Sequence, residues 1–143
     1  MKTLKQLLAE KNHTLATVSP DDTVYQALCI MAERNVGAVL VLQDDKLAGI
    51  FSERDYARKQ IRNLRPSKET PVRDMMSARV AYVGPDSSLD ECMSLMTEKR
   101  FRHLPVLDNA GKVLGILSIG DLVKETISSQ QFLIEELERY INS

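Results

Sequence analysis

Residues 18–59, VSPDDTVYQALCIMAERNVGAVLVLQDDKLAGIFSERDYARK, return at residues 83–125 as VGPDSSLDECMSLMTEKRFRHLPVLDNAGKVLGILSIGDLVKE. The offset is 65 residues and grows to 66 after one inserted residue near Gly111. The copies close on GIFSERD and GILSIGD. A repeat of this size is one supersecondary unit used twice. Two similar halves pack about a pseudo-two-fold axis, with shared clefts where they meet. A feature present in both copies therefore weighs more than one present once.

Each copy reads strand, helix, strand, strand, helix. Val24, Ala27, Leu28 and Met31 fall at i, i+3, i+4 and i+7, and Leu89, Cys92, Met93 and Met96 repeat the spacing. Both patterns are amphipathic helices with one buried stripe. PDDT at 20–23 and PDSS at 85–88 supply turn and N-cap chemistry ahead of them. Apolar runs at 38–42 and 103–107 each pass through a turn into a second run, ending at Phe51 or Leu117, which predicts two hairpins. Pro105 has no N–H to give a ladder, so its strand is expected to be at an edge or irregular there. The expected fold is α/β (α+β), two βαββα repeats packed through their sheets. Expected boundaries are an N-terminal helical extension over 1–15, repeats over 16–64 and 81–126, a linker over 65–80 with one helical turn at 72–76, and a C-terminal helix over 127–143. Leu4, Leu7 and Leu8 mark the first helix. FLIEELERYI sets Leu133, Leu137, Tyr140 and Ile141 on one side of the last, a stripe that must pack on its own body or on a second subunit.

Composition bounds the function. The 143 residues carry a net charge of -1, which gives no global reason to expect nucleic acid. One local excess stands out: residues 54–79 hold eight Lys or Arg against three acids. It reads as a solvated connector or as a positive rim beside an anionic ligand. The N-terminus does not look like a signal peptide, and no apolar run is long enough to span a bilayer. Cys29 and Cys92 occupy different repeat positions and form no CxxC, so a reduced, cytoplasmic setting is expected.

The chemistry concentrates at Ser52 with Asp55 and at Ser118 with Asp121. In both, an apolar strand ends at Ser and a helix begins. Ser at the N-cap with an acid at N3 is a capping-box spacing and needs no ligand. The same geometry can hold a nucleoside monophosphate. Helix N–H groups and the hydroxyl face a phosphate, and the carboxylate accepts both hydroxyls of a ribose diol. Gly49 and Gly115, which precede these sites, would let backbone approach a ligand or simply serve the strand bend.

The two G-hydrophobic-x-S-x-x-D endings, with RFRHLPVLD before the second, resemble the tandem cystathionine-β-synthase (CBS) domain pair, the Bateman module. The resemblance covers residues 16–126. It implies two related clefts for adenine nucleotides and pairing of modules into disc-like homodimers. By resemblance, Asp55 and Asp121 are the ribose acids, with Ser52 and Ser118 the hydroxyls near ribose or phosphate. Each cleft would be completed from the opposite repeat. The first cleft would comprise Ser52, Arg54 and Asp55 with Tyr82, Val83, Arg102, His103 and Pro105. The second would comprise Ile116, Ser118, Gly120 and Asp121 with Thr17, Val18, Gly37, Ala38 and Val39. Backbone of the short strands would read the adenine edge.

The clefts are not expected to be equal. Arg54 is matched by Gly120, and Arg102 and His103 by Gly37 and Ala38. The first cleft is the more cationic and is expected to prefer the phosphate-bearing ligand, with Arg102 as anchor. His103 reads either as part of it or as a strand histidine satisfied by backbone. No Walker-type loop, GxSxG, HExxH or nucleophile set occurs, and with only His13 and His103 no multi-histidine metal site can be built. The chain therefore reads as a non-catalytic sensor of AMP, with ATP, NAD(H) or S-adenosylmethionine as other adenosyl ligands. It would have no catalytic cofactor or metal, no nucleic-acid or membrane partner, and an effector protein to read the change. A ligand-free dimeric scaffold is the alternative.

Overall fold

The computed structural model describes residues 2–11 and 15–142; His13 lies outside them. A helix α1 (Leu4–Lys11) precedes β1 (Thr17–Val18), α2 (Val24–Arg34), β2 (Ala38–Gln43), β3 (Lys46–Ser52) and α3 (Glu53–Lys59). Single 3₁₀ turns at Gln60–Arg62, Ser67–Glu69 and Val72–Asp74 lead to α4 (Leu89–Lys99), β4 (His103–Leu107), β5 (Val113–Ser118) and α5 (Ile119–Asn142). The α+β repeat order expected from the sequence is present, and both hairpins are antiparallel.

Local chemistry explains the boundaries. Thr23 caps α2 through a full capping box with Gln26, and the Ser88 hydroxyl accepts from the Glu91 amide at 3.1 Å ahead of α4. Both helices end on a left-handed residue, Asn35 (φ 53°) and Arg100 (φ 58°). Asp44 (φ 51°) and Asp45 (φ 62°) make the tight turn between β2 and β3. A register shift falls at Val41/Leu42 in one hairpin and at Val106/Leu107 in the other, the same place in each copy.

The copies differ at their first strand. In copy one, β1 runs parallel to β2, and the Leu40 amide donates to Ala16 O at 3.1 Å. Pro105 stands where Leu40 stands and cannot make that bond. Copy two keeps only a bridge, with Val83 N to Pro105 O at 3.0 Å and Leu107 N to Val83 O at 2.9 Å. The expected strand there is reduced to a single residue. The absent N–H would face Ala81, the match of Ala16, and not β5, so the hairpin survives.

Among the described residues, three apolar clusters hold the molecule. One fills copy one around Phe51, Val24 and Val39, and one fills copy two around Leu104, Leu117 and Leu122. The third joins them: Ala38, Leu40 and Ile50 pack with Val80, Val113 and Ile116, which is the sheet-to-sheet contact. The connecting segments are exchanged. Leu4 and Leu7 of α1 enter the core of copy two, whereas Val72 and Met75, ahead of copy two, enter the core of copy one. The linker is further knitted to copy one by Val24 N to Thr70 O and Val72 N to Asp22 O, both 2.8 Å.

The exchange gives the two strand glycines their role. A Cβ on Gly49 would stand 2.7 Å from Ser77 O and 2.9 Å from Met76 Sδ; one on Gly115 would stand 2.6 Å from Leu8 Cδ2. Neither glycine has a positive φ, so what each provides is room for the segment packed across it. Helix α5 passes residue 126 without a break. Only Leu122 and Glu125 along it are buried, and Leu133, Leu137, Tyr140 and Ile141 are all more than half exposed. The predicted stripe does not pack on its own body.

Candidate clefts between the repeats

Two cavities open between the copies. The larger, about 810 Å³, is walled by Leu15, Ala16 and Arg34 to Ala38 of copy one, by His103, Val113 to Ile116, Ser118 and Asp121 of copy two, and by Leu8 of α1. The smaller, about 420 Å³, is walled by Ile50 and Ser52 to Asp55, by Arg58, by Ser77 and Arg79 to Ala81 of the linker, and by Lys99 to His103. Both volumes suit a nucleotide-sized ligand. Gly37 and His103 line both, so they form the partition between the cavities.

Each cavity contains one Ser-x-x-Asp turn, and in both the serine caps its helix. Ser52 Oγ accepts from Asp55 N at 3.1 Å while Ser52 N donates to Asp55 Oδ2 at 3.0 Å. The second copy repeats this at 3.1 and 2.8 Å. The first helical amide is also taken, Glu53 N by Gly37 O and Ile119 N by Arg102 O. These helix starts are therefore largely satisfied by the protein, and a phosphate here depends on side chains. Asp55 is held further: its Oδ1 accepts from Ser77 Oγ at 2.9 Å and lies 3.6 Å from Lys59 Nζ, which also donates to Met75 O at 2.8 Å.

Of the residues expected in the first cleft, the structure brings together Ser52, Arg54, Asp55, Arg102 and His103. Tyr82, Val83 and Pro105 do not line it; Val83 is in the core of copy two. In the second, Gly37, Ala38, Ile116, Ser118 and Asp121 line the cavity, whereas Thr17, Val18, Val39 and Gly120 do not. Val18 and Val39 are core residues of copy one. The displacement is the same on both sides. Leu15 and Ala16 stand where Thr17 and Val18 were expected, and Val80 and Ala81 where Tyr82 and Val83 were expected. Strand pairing commits Val18 and Val83 to the interior, so the wall comes from the residues two positions earlier.

Sequence reasoning missed Ser77, Arg79, Lys99 and Arg100 in the first cleft, and Leu8 and Arg34 in the second. Lys99 and Arg100 end α4 and sit three and two residues before Arg102, which was the available signal. The charge contrast is strong. Arg54, Arg58, Arg79, Lys99, Arg100 and Arg102 face the smaller cavity against Glu53 and Asp55; Arg34 and Asp121 are the charged residues of the larger one. Among the described residues no cluster of His, Cys, Asp and Glu could hold a metal ion, and no helix is long and apolar enough to cross a membrane.

Known proteins share this fold. A CBS domain solved as NE2398 superposes with a TM-score of 0.83 at 53% identity, covering 89% of this chain and 99% of that one. CBSX2, solved in complex with AMP, gives a TM-score of 0.75 at 26% identity, covering 90% of this chain and 98% of its own. The mitochondrial CBS domain-containing protein CBSX3 of Arabidopsis thaliana is 40% identical over 126 residues, which are 85% of this chain and 61% of that protein's length. The family model for the CBS domain matches twice, over residues 8–62 and 72–128, so that each match takes in one copy of the repeat and the segment before it. With two such matches, and the paired folds that produce them, the chain belongs to the CBS-domain family as a tandem pair.

Proposed function

We propose that this protein is a non-catalytic adenine-nucleotide sensor, with AMP as the leading ligand, whose two repeats over 16–64 and 81–126 form the binding clefts. The observation that carries the reading is that two cavities of nucleotide size lie between the copies, each containing a Ser-x-x-Asp turn. The AMP-bound CBSX2 fold supports it. A ribose diol would hydrogen-bond Asp55 or Asp121. At Asp55 it would exchange with the Ser77 hydroxyl, so binding would loosen a linker contact and give a partner something to read. Binding shifts the equilibrium only by its difference in affinity for the two arrangements. ATP, NAD(H) and S-adenosylmethionine share the adenosyl group and compete as ligands.

The unburied face of α5 carries the homodimer expectation. Ile127, Ile134 and Ile141 recur every seven residues, with Val123, Gln130 and Leu137 between them, and the five apolar members of this seam are 43–75% exposed. An isoleucine at every repeat of one seam position, with Val, Gln and Leu at the other, is a heptad seam of the kind that pairs helices, its single polar member fixing register. The occupant of this face is a second copy of the chain.

Calorimetric titration of nucleotide-free protein with AMP, ATP, NAD(H) and S-adenosylmethionine tests the sensor reading. Saturable binding that is lost in Asp55→Ala or Asp121→Ala supports it and identifies the occupied cleft. Absence of heat and of thermal shift from all of them overturns it in favour of a ligand-free scaffold.

A further inference from the structure

The six cations of the smaller cavity come from three separate segments: Arg54 and Arg58 from α3, Arg79 from the linker, and Lys99, Arg100 and Arg102 from the end of α4 and the loop after it. None of the six forms an ion pair among the described residues, although acids are as common as bases in the chain. Like charges converging on a cavity repel one another unless an anion is present.

The fold does not require four of them, and the match of Arg58, Lys124, does not line the larger cavity. At the matching positions of the other copy stand Gly120 for Arg54, Arg34 for Lys99, Asn35 for Arg100 and Gly37 for Arg102. Those residues build the same turns and leave the larger cavity nearly balanced, with Arg34 against Asp121. The excess is therefore a property of one cleft.

We infer that the smaller cleft is a polyphosphate site, selective for a nucleoside di- or triphosphate over a monophosphate, while the larger cleft takes the less charged ligand. Six cations against Glu53 and Asp55 leave a net charge of +4 on its wall. A monophosphate carries about two negative charges and each added phosphate about one more, so a triphosphate balances the wall and a monophosphate leaves half of it unmatched. Arginine forks suit adjacent phosphate oxygens, and five of the six are arginines. The adenosine end of this ligand rests on the sensor reading above; the phosphate end does not.

The test is titration of the full chain with AMP, ATP and inorganic tripolyphosphate at low and moderate salt, using wild type and a variant combining Arg54→Ala, Arg58→Ala and Arg100→Ala. The expected result is ATP binding at least tenfold tighter than AMP at the smaller cleft, displaced by tripolyphosphate and weakened steeply by salt. The triple variant should abolish that preference without moving AMP affinity at the larger cleft. Equal affinity for AMP and ATP, or a preference unchanged in the variant, overturns the inference. Binding of AMP with no binding of tripolyphosphate also overturns it and leaves the sensor reading standing. Tripolyphosphate binding that the variant abolishes, with no adenosine-dependent binding, supports the polyphosphate site and removes the sensor reading.

Discussion

Gly49 and Gly115 occupy matching positions, yet alanine should affect them very differently. At Gly49 the new Cβ meets a backbone carbonyl, Ser77 O at 2.7 Å, and Met76 Sδ at 2.9 Å. Ser77 cannot retreat without breaking its bridge to Ile50, two bonds of 3.0 and 2.8 Å. At about 1 kcal/mol net each, those bonds amount to ~2 kcal/mol. Crowding of Met76 adds about 1 kcal/mol, and the stiffer unfolded chain returns roughly 0.4–1 kcal/mol. The net cost is ~2 kcal/mol for Gly49→Ala. At Gly115 the neighbour at 2.6 Å is the Cδ2 end of Leu8, which can rotate aside. There the entropy gain and the crowding nearly cancel, and the cost should stay below about 1 kcal/mol. For a chain of this size the first variant should melt about 4–8 °C below wild type. Thermal and urea unfolding of the two variants side by side measure the difference. Equal destabilisation would refute the reasoning, because it would mean the backbone contact at Ser77 is no stiffer than a leucine methyl.

Other outcomes follow from single features. Ser52→Ala and Ser118→Ala each remove a helix cap and should each cost about 1 kcal/mol in urea unfolding; a cost at Ser52 alone would place the stabilisation in the bond its hydroxyl donates to Asp55 Oδ2 at 3.0 Å instead of the cap. Ile134→Lys with Leu137→Lys should convert a dimer to a monomer in light scattering while leaving the melting of each chain within about 0.5 kcal/mol, since both side chains are half exposed in the single chain. An intact dimer would place self-association elsewhere. Burial, and then the neighbouring Glu91, push the Cys92 thiol up from its ordinary range. Its native form therefore holds a proton that the unfolded chain releases, and the stability it contributes is present at neutral pH and lost as pH rises past about 8.5. A Cys92→Ala variant should show a flatter decline between neutral and alkaline pH. In the native wild type, alkylation at neutral pH should reach partly exposed Cys29 well before Cys92.

The repeat made most of the architecture legible. Helix stripes, caps and hairpins depend on residues close in sequence, and the 65-residue offset doubled each signal. Pro105 marked its own strand as an edge or irregular one, because an absent N–H is a local fact, but the strand that shrank is its neighbour at Val83. Across the clefts, Arg102, His103, Gly37 and Ala38 were legible, but the strand walls and the linker contacts were not. Thr17, Val18, Tyr82 and Val83 were assigned to cleft walls, but whether a strand residue faces core or cleft depends on its pairing register. The contribution of Ser77 to Asp55, and the true neighbours of the glycines, arise from connecting segments that exchange between copies. Lys99 and Arg100 look like an ordinary helix end until that end is placed across from α3.

Helix α5 begins at the rim of the larger cavity, where Asp121 lies in its first turn, and continues for 24 residues without a break. At 1.5 Å per residue it is a rod of about 36 Å. Residues 130–142 are all exposed. A tilt of ~5° at the fulcrum would sweep the far end through about 3 Å on that length. The helix thus has the shape of a lever, with its first turn at the cleft rim and its long arm on the face assigned to a second copy of the chain.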